Sequence, residues 1–493
     1  MRGLRNVPAV AIALAISAVA AVATPSGAQQ SVDPTAALLQ ELIRANSSNP
    51  PGITQGVADV LSPKFKALGF EVHVIPTPDS GKVHFIARLL GDGSKKPVLL
   101  AAHADVVGVE REKWSVDPFA GVIKDGSVYG RGAIDFKGGT AVFARAVMML
   151  AENKIPLARD VIFMAEADEE GQPMNTSWLA REHWHLMDAE FALNEGGWIM
   201  KRGDGSVRYV SISTADKSSV TLTMTARGTS THSSMPLPDN AIFRLGRALA
   251  KVGEFRTPVE LTPSTRQFYE TLGKTTSEPM RQYFFDLVSS DPEKVRRADL
   301  EISKHPLLHA IMRNTIAAVI VEGGFRSNVI PGSATATINV RTIPGTNVPA
   351  LISALERVIG DSLVDVRQGT GGRGGAAGAG AGGRAGVPAV AGAAGGRGGA
   401  SQPSSEDTDL YRSLVREARV EYPGAEVTPY LFQAGTDAGA WRTRGIPVYG
   451  IYPYALSDDE LSRMHGNDEQ VSIESLRKGT QFIYRTILNV AKK

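Results

Sequence analysis

Helical periodicity and short apolar runs alternate through the first part of the chain. Apolar side chains recur at helical spacing in residues 34–45, 57–68 and 138–151. Runs with the length and composition of buried strands occupy residues 70–75, 83–90, 97–102, 160–165 and 191–193. Strands that alternate with helices at this spacing predict an α/β domain built on a largely parallel sheet.

The pattern changes near Val210. Residues 219–226 and 334–341 alternate apolar and polar positions, which is typical of antiparallel strands with one solvated face. Helical segments are expected between them, at residues 241–252 and 306–316. The middle of the chain therefore predicts a second kind of domain, of the α+β class.

A chain of 493 residues is long enough for two domains or more. The middle block, residues 212–345, is interpreted as an inserted domain that divides the α/β domain into residues 32–211 and residues 346–493. Residues 369–404 form a Gly/Ala/Arg tract that cannot bury enough apolar surface to fold, which predicts a flexible surface insertion. A wall- or polyanion-binding role for its arginines is the other interpretation.

The N-terminus has the pattern of a secretory signal peptide. Arg2 and Arg5 give a basic start, residues 7–23 are almost wholly apolar, and small residues end the segment at Ala28. This order predicts removal of residues 1–28 and a periplasmic or secreted protein that does not stay on the membrane. An uncleaved transmembrane anchor is the alternative, for which the apolar stretch is near the lower length limit.

Composition excludes several kinds of partner and ligand. The formal net charge is only +2 and no dense Lys/Arg block occurs, so nucleic acid is not expected as a partner. The chain has no cysteine, which rules out disulfides and thiolate ligands. Any metal site must therefore use His, Asp and Glu.

Acidic residues and histidines follow several of the predicted strands. His103 and Asp105 come directly after an apolar run, and residues two apart on an extended segment point to the same side. Both would meet at the carboxyl edge of the sheet, where open α/β sheets bind ligands. A purely structural pair remains an alternative for this motif. Asp135 lies in the glycine-rich segment 130–139, which permits close backbone approach but lacks the lysine spacing of a phosphate loop.

Three further motifs add carboxylates and a second histidine. Glu169 and Glu170 follow a buried apolar strand, where unpaired charges are costly and a cation would offset the cost. Glu195 follows another apolar run, and His465 lies in a polar segment near the C-terminus. Zn²⁺ accepts imidazole and carboxylate ligands, and two metals at one hydrolytic centre is a known arrangement.

The order and spacing of the motifs resemble metallopeptidase family twenty, which includes aminoacylase, carboxypeptidase G, acetylornithine deacetylase and succinyl-diaminopimelate desuccinylase. The resemblance covers residues 32–493 apart from the Gly/Ala/Arg tract, and it is nearest to the carboxypeptidase S and N-acyl-amino-acid hydrolase branch. The stretches that carry it are His103-Ala-Asp105, Gly130-Arg-Gly-Ala-Ile-Asp135, Asp168-Glu-Glu-Gly171, Gly228-Thr-Ser-Thr-His232, Asn328-Val-Ile-Pro331, Arg341-Thr-Ile-Pro-Gly345, Gly435-Thr-Asp-Ala438 and His465-Gly-Asn-Asp-Glu469.

The resemblance implies a fold and a set of metal ligands. The fold is α/β: a discontinuous zinc-peptidase-like catalytic domain with a mostly parallel mixed sheet, plus an inserted α+β, ferredoxin-like lid and dimerisation domain. The implied ligands of two divalent ions, Zn²⁺ or alternatively Co²⁺ or Mn²⁺, are His103, Asp135, Glu170, Glu195 and His465. Asp135 would bridge the two ions. The fifth ligand position is Asn194 or Glu195, and Glu195 is preferred because a neutral amide is a poor zinc ligand.

The resemblance also implies catalytic and substrate-binding residues. Glu169 would be the general base, Asp105 would belong to the catalytic group, and His232 would donate to the oxyanion, commonly from a partner subunit. The implied contacts for a free substrate carboxylate are Asn328, Arg341 and Gly435. A guanidinium matches a carboxylate fork, although a surface salt bridge is the alternative for Arg341.

The predicted activity is hydrolysis of an amide bond next to a free carboxylate. The enzyme would be an exported di-metal carboxypeptidase, dipeptidase or N-acyl-amino-acid amidohydrolase, acting on a small peptide or N-acyl amino acid. A homodimer through the lid domain is expected. A catalytically impaired relative that serves as a binding protein is the competing hypothesis. A serine hydrolase is disfavoured because no Gly-x-Ser-x-Gly motif follows a strand.

Overall fold

The computed structural model describes residues 33–369 and 402–493. The predicted signal peptide and nearly all of the Gly/Ala/Arg tract lie outside these residues. The described strands are β1 (Ser48–Asn49), β2 (Glu71–Pro76), β3 (Val83–Leu89), β4 (Val98–His103), β5 (Val106–Val107), β6 (Val122–Lys124), β7 (Ser127–Tyr129), β8 (Val161–Glu166), β9 (Phe191–Lys201), β10 (Val207–Asp216), β11 (Ser218–Arg227), β12 (Thr231–His232), β13 (Thr315–Gly323), β14 (Val329–Ile330), β15 (Ser333–Thr342), β16 (Val364–Gln368), β17 (Glu426–Phe432), β18 (Val448–Leu456) and β19 (Gln470–Ser472).

Helices connect and cover these strands. The described α-helices are α1 (Pro34–Arg44), α2 (Gln55–Ala67), α3 (Lys137–Glu152), α4 (Thr176–Glu182), α5 (Ala241–Glu254), α6 (Pro263–Thr275), α7 (Met280–Leu287), α8 (Pro292–Ile302), α9 (Pro306–Ile311), α10 (Val348–Ile359), α11 (Asp409–Glu421), α12 (Gly439–Arg442), α13 (Asp458–Ser462) and α14 (Ile473–Ala491). Capping residues set several boundaries. Asp33 accepts from two backbone N–H groups at the start of α1, and Gly360 ends α10 with φ 60°.

The largest sheet has eight strands in the order β17-β10-β18-β9-β4-β8-β3-β2. Its centre, formed by β18, β9, β4 and β8, is parallel, while β2 and β3 are antiparallel additions at one edge. Leu100 of β4 shares an apolar core with α1, α3 and α14, and Leu99 shares another with α4 and α12. Because both faces are covered, β4 is a continuous apolar run in the sequence. The predicted α/β class is confirmed.

A second sheet is antiparallel and has the order β13-β15-β11-β16. Buried and half-buried positions alternate along β15, and its buried side chains share a core with α5 and α10. This is the one-sided burial that the period-two pattern predicted. β13 is an edge strand, and most of its residues are exposed.

The two sheets do not divide the chain at the predicted domain boundaries, 212 and 345. The division into domains itself stays a prediction. β10, which spans the first boundary, belongs to the eight-stranded sheet. β16, beyond the second boundary, pairs with β11 in the antiparallel sheet. The helices α6 to α9 share the large core of the first sheet and not the core of the second. Apolar periodicity identifies a strand or a helix, but it does not show which sheet a strand pairs into or which core a helix packs against.

Two local predictions were inaccurate. A helix was expected over 306–316, but α9 ends at Ile311 and β13 begins at Thr315. The strand expected at 191–193 is the start of β9, which continues to Lys201. Within the described residues, no helix combines the length and apolar character needed to cross a membrane.

Candidate metal centre

The predicted ligands meet at the carboxyl edge of the eight-stranded sheet. His103 is the last residue of β4, and Glu169 and Glu170 lie in the loop that follows β8. Asp135 lies just before α3, and Glu195 lies within β9. His465 comes from the loop between α13 and β19, and its chain position gave no hint of this proximity. Parallel strand ends converge on one edge, which explains why the nearer residues were predictable.

Asp135 lies between the two histidines. Its Oδ1 is 3.0 Å from Nε2 of His103, and its Oδ2 is 3.0 Å from Nε2 of His465. Nε2 of His465 also lies 2.9 Å from Oε1 of Glu170. One carboxylate that faces two imidazoles is the arrangement that a bridging ligand requires.

The structure brings Glu195, rather than Asn194, to the cluster. Oε2 of Glu195 lies 3.6 Å from Nε2 of His103 and accepts a 3.0 Å hydrogen bond from the hydroxyl of Tyr452. Tyr452 also donates to Asp135 over 3.1 Å. Asn194 is buried, and neither its amide oxygen nor its amide nitrogen has a hydrogen-bond partner among the described residues. The geometry therefore favours Glu195 for the fifth ligand position.

Among the described residues, two groups of side chains could each hold a metal ion. One is His103, Glu169 and Glu195, and the other is His103, Asp135 and Glu170; in each group the ligand atoms lie within 4.8 Å of one another. Both groups share His103, and His465 lies beside the second group, within 3.0 Å of Asp135 and 2.9 Å of Glu170. Glu169 lies close enough to be a ligand, and distance alone therefore does not separate a ligand from a proton carrier.

Burial and the neighbouring imidazoles have opposite effects on the pKa values of the buried carboxyl groups. Burial raises the pKa of Glu195 to about 7. Burial also opposes ionisation of Asp135, but its hydrogen bonds to His103 and His465 outweigh this and hold its pKa below the usual range. Hydrogen bonds to Asp135 and Glu170 raise the pKa of His465 to about 10. The hydrogen-bonded imidazoles thus favour the ionised form of Asp135.

Asp105 orients the acidic loop. Its Oδ1 accepts from the backbone N–H of Glu169 and its Oδ2 from that of Glu170, each over 3.0 Å. The side-chain amide of Asn49 donates to Oδ2 over 2.9 Å. The backbone carbonyl of Asp105 lies 2.9 Å from Nδ1 of His103, which leaves Nε2 facing the cluster. Asp105 is therefore placed to fix both the histidine and the two glutamates.

Several supporting residues were not predicted from the sequence. Nζ of Lys82 lies 2.5 Å from Oδ1 of Asp168, within the acidic loop. His84 is buried, accepts from the N–H of Ala167 over 3.1 Å and contacts the carbonyl of Met174 over 2.9 Å. Short apolar strands surround these residues in the sequence, and nothing in the pattern distinguishes them from ordinary structural positions. The same holds for Tyr452, which lies in a run of buried residues.

The predicted substrate contacts are spread over other elements. His232 lies exposed on β12, and its ring Nδ1 is 2.8 Å from the hydroxyl of Ser234. β12 pairs with β14, the strand that begins directly after Asn328. Arg341 lies near the end of β15, and Gly435 is buried in the loop after β17. Neither group of candidate ligands includes His232. Of the predicted substrate contacts, Gly435 thus follows a strand of the eight-stranded sheet, whereas His232 and Arg341 lie on strands of other sheets.

Fold and site together define a class of protein, namely an α/β protein with imidazole and carboxylate side chains that could hold metal ions at the edge of a sheet. The model of Peptidase family M20/M25/M40 matches residues 99–489, and the chain belongs to this family. The family predicted from the motifs is confirmed. The protein is an enzyme of the metal-dependent peptidase and amidohydrolase class.

Similar proteins include peptidases and acyl-amino-acid hydrolases. The chain is 28% identical over 408 residues to probable carboxypeptidase S-like 2 of Dictyostelium discoideum, covering 81% of this chain and 73% of the relative. It is 25% identical over 405 residues to N-fatty-acyl-amino acid synthase/hydrolase PM20D1 of Homo sapiens, covering 81% and 75%. The M20 family metallo-carboxypeptidase Sso-CP2 of Sulfolobus solfataricus superposes with a TM-score of 0.65 at 18% identity, covering 93% of this chain and 99% of that one. This last similarity supports the fold alone.

Proposed function

We propose that this protein is an exported di-metal hydrolase that cleaves an amide bond adjacent to a free carboxylate. Its substrates would be small peptides or N-acyl amino acids, as for a carboxypeptidase, dipeptidase or N-acyl-amino-acid amidohydrolase. The observation that carries the proposal is the position of Asp135 between His103 and His465, with Glu170 and Glu195 beside them.

The residues present fit a pair of divalent cations. Imidazole nitrogens and carboxylate oxygens are the donors that Zn²⁺ accepts, and Co²⁺ or Mn²⁺ could replace it. The raised pKa of Glu195 reflects a buried carboxylate whose charge is incompletely compensated, and a bound cation would supply the compensation. Ions held here would polarise the amide carbonyl and lower the pKa of a water molecule.

Glu169 is the proposed proton carrier. It is 5% exposed, and its backbone is fixed by Asp105. Its carboxylate would take a proton from the attacking water and return it to the leaving amine, which needs a nearby group that is not itself consumed as a ligand. Asp105 would act by holding Glu169 and Glu170 in register with His103.

Recognition of the free carboxylate is assigned to Arg341, together with Asn328 and Gly435. A guanidinium binds a carboxylate through two parallel hydrogen bonds, which gives both affinity and orientation. The name of the human relative refers to N-fatty-acyl amino acids, which carry such a carboxylate, and this supports the substrate class.

His232 is the proposed oxyanion donor, supplied by a second copy of the chain. The edge strand β13 supports a homodimer, because Val319 and Val321 are 56% and 61% exposed and Phe325 nearby is 78% exposed. An exposed apolar edge strand readily pairs with another chain. The signal-peptide pattern of residues 1–28 supports export to the periplasm or the medium.

Elemental analysis combined with a hydrolysis screen tests the proposed function. About two divalent ions per chain are expected, with cleavage of N-acyl amino acids or dipeptides that stops on chelation and returns with Zn²⁺, Co²⁺ or Mn²⁺. Undiminished activity after complete removal of divalent ions would contradict the proposal. Ligand binding without turnover after reconstitution would favour the binding-protein hypothesis.

A further inference from the structure

Glu469 is a buried carboxylate that has no part in the chemistry described above. It lies four residues after His465 and has no solvent exposure. Its Oε1 accepts from the backbone N–H groups of Ile134 and Asp135 over 2.7 and 2.9 Å. Its Oε2 accepts from the N–H of Gly132 over 3.1 Å. The carboxylate thus fixes the backbone of the segment that presents Asp135.

Arg131 joins the same carboxylate to the loop that carries His465. Nη1 of Arg131 donates to Oε2 of Glu469 over 2.5 Å, and Nη2 donates to the carbonyls of Gly466 and His465 over 2.9 and 3.3 Å. The guanidinium is 2% exposed and lies over the ring of Trp114, 5.3 Å from its centroid. One ion pair therefore holds together two segments that are distant in the sequence.

The hydrogen bonds of Glu469 leave little freedom for substitution. Four donors converge on its two oxygens, and an ionised carboxylate is an acceptor only. A glutamine of the same shape would turn an NH₂ group toward N–H donors on one side. The donors that faced that oxygen would then be buried without an acceptor, and the segment before α3 would shift to satisfy them.

We propose that Glu469 is a positioning residue that sets the distance between Asp135 and His465 and thereby the affinity of both metal positions. It contacts the backbone of Asp135 directly and the loop of His465 through Arg131. Groups that orient metal ligands in this way typically change metal affinity by one to two orders of magnitude when they are replaced. The inference rests on the proposed function, because it presumes that Asp135 and His465 bind ions.

The test compares the stepwise binding of Zn²⁺ to chelator-stripped parent protein and to Glu469→Gln by equilibrium dialysis. Both ions should bind about 10- to 100-fold more weakly to the variant. The d–d absorption spectrum of the Co²⁺-loaded variant should also differ from that of the parent, because the ligand geometry has changed.

Glu417→Gln is the matched control. Glu417 is also buried and accepts from Arg485, Arg416 and Asn489, but it joins α11 to α14, away from the predicted ligands. A purely structural role for Glu469 predicts that both variants lose stability with equal, small effects on metal affinity. The positioning role predicts weaker metal binding in Glu469→Gln alone, measured well below the unfolding temperature of each variant.

Arg131→Lys provides a second test in case Glu469→Gln does not fold. Lysine keeps the charge opposite Glu469 but cannot reach two carbonyls and a carboxylate at once. The backbone hydrogen bonds to Asp135 would remain, so we expect one ion to bind about tenfold more weakly and the other to be almost unchanged. Equal weakening of both ions, or of neither, would contradict the assigned route through Arg131.

The possible outcomes separate the two proposals. Parent protein that binds two ions while Glu469→Gln binds them equally tightly would overturn the positioning role and leave the proposed function intact. Parent protein that binds no ion would overturn the proposed function, and the positioning role with it.

Discussion

The carboxyl edge of the eight-stranded sheet and the four-stranded sheet organise their polar residues in opposite ways. At the edge of the first sheet, His103 and Asp135 are 1% and 7% exposed and lie in hydrogen-bond contact. On β12, beside the second sheet, His232 is exposed, and its ring contacts a neighbouring serine. In the first region this chain brings the candidate ligands within reach of one another, whereas in the second region His232 lies exposed to solvent.

The physical difference is the cost of burial. Carboxylates beneath the surface must be paired with cations and hydrogen-bond donors, so the chain surrounds them with imidazoles, backbone N–H groups and Tyr452. The exposed imidazole of His232 is hydrated and needs no such support. We expect metal binding and proton transfer to depend on the first region, and carboxylate recognition and oxyanion stabilisation to depend on the second. Four measurements test this division, in order of expected effect.

Glu169→Gln should lower kcat by about 10²- to 10⁴-fold, because it removes the proton carrier and keeps the size of the side chain. The metal content of the variant, measured by elemental analysis, should equal that of the parent. Glu170→Gln is the informative comparison, since loss of a ligand should reduce metal content. Near-normal turnover in Glu169→Gln would show that the role has been assigned to the wrong glutamate.

His232→Ala should lower kcat by about 10²- to 10³-fold, as expected for loss of one oxyanion donor. Mixing this variant with Glu169→Gln sharpens the comparison between the regions. If His232 acts on the partner subunit, mixed dimers regain one intact site, and random exchange should restore about a quarter of the parental sites. Absence of recovery after verified subunit exchange would mean that His232 does not act across a dimer.

Arg341→Ala should raise KM by about 10- to 100-fold for substrates with a free carboxylate, since a charge-assisted hydrogen-bonded pair is lost. Steady-state kinetics on matched acid and amide substrates measure the difference. Arg367→Ala, an exposed arginine on the same sheet, is the control and should leave both KM values unchanged. An equal loss on carboxylate-blocked amides would remove Arg341 from carboxylate recognition.

The acidic loop should be sensitive to pH through His84. Burial lowers the pKa of this histidine to about 4, below its ordinary value of 6.5, so the unfolded chain binds more protons between these values. The contribution to stability is complete above about pH 6.5 and is lost as the pH falls to about 4, amounting to about 3 kcal/mol. Thermal unfolding of His84→Gln should show a weaker loss of stability over this window.

The control for this last prediction is His185→Gln, because His185 is exposed. Its pH dependence of stability should match that of the parent. If His84→Gln loses stability with falling pH as steeply as the parent does, groups other than His84 dominate acid unfolding.

Part of the candidate site could be predicted from the sequence, because it depends on which residues directly follow each strand. His103, Glu169 and Glu170 follow apolar strands directly, and parallel strands bring such positions to one edge. The preference for Glu195 over Asn194 rested on ligand chemistry, and the position of Tyr452 agrees with it. The contact of Glu469 with Asp135 spans 334 residues of sequence, and no local pattern could indicate it.

The sequence by itself determined the class of fold, because strand and helix periodicity are local properties. Its motifs carried the resemblance that gave the family and implied the candidate ligands. Only the tertiary structure decided that β16 pairs into the antiparallel sheet and that α10 shares its core, while α6 to α9 share the core of the first sheet. It also decided which supporting side chains surround the ligands. The reason is that sheet membership and burial depend on pairing between distant segments, and several pairings are compatible with the same pattern of apolar and polar residues.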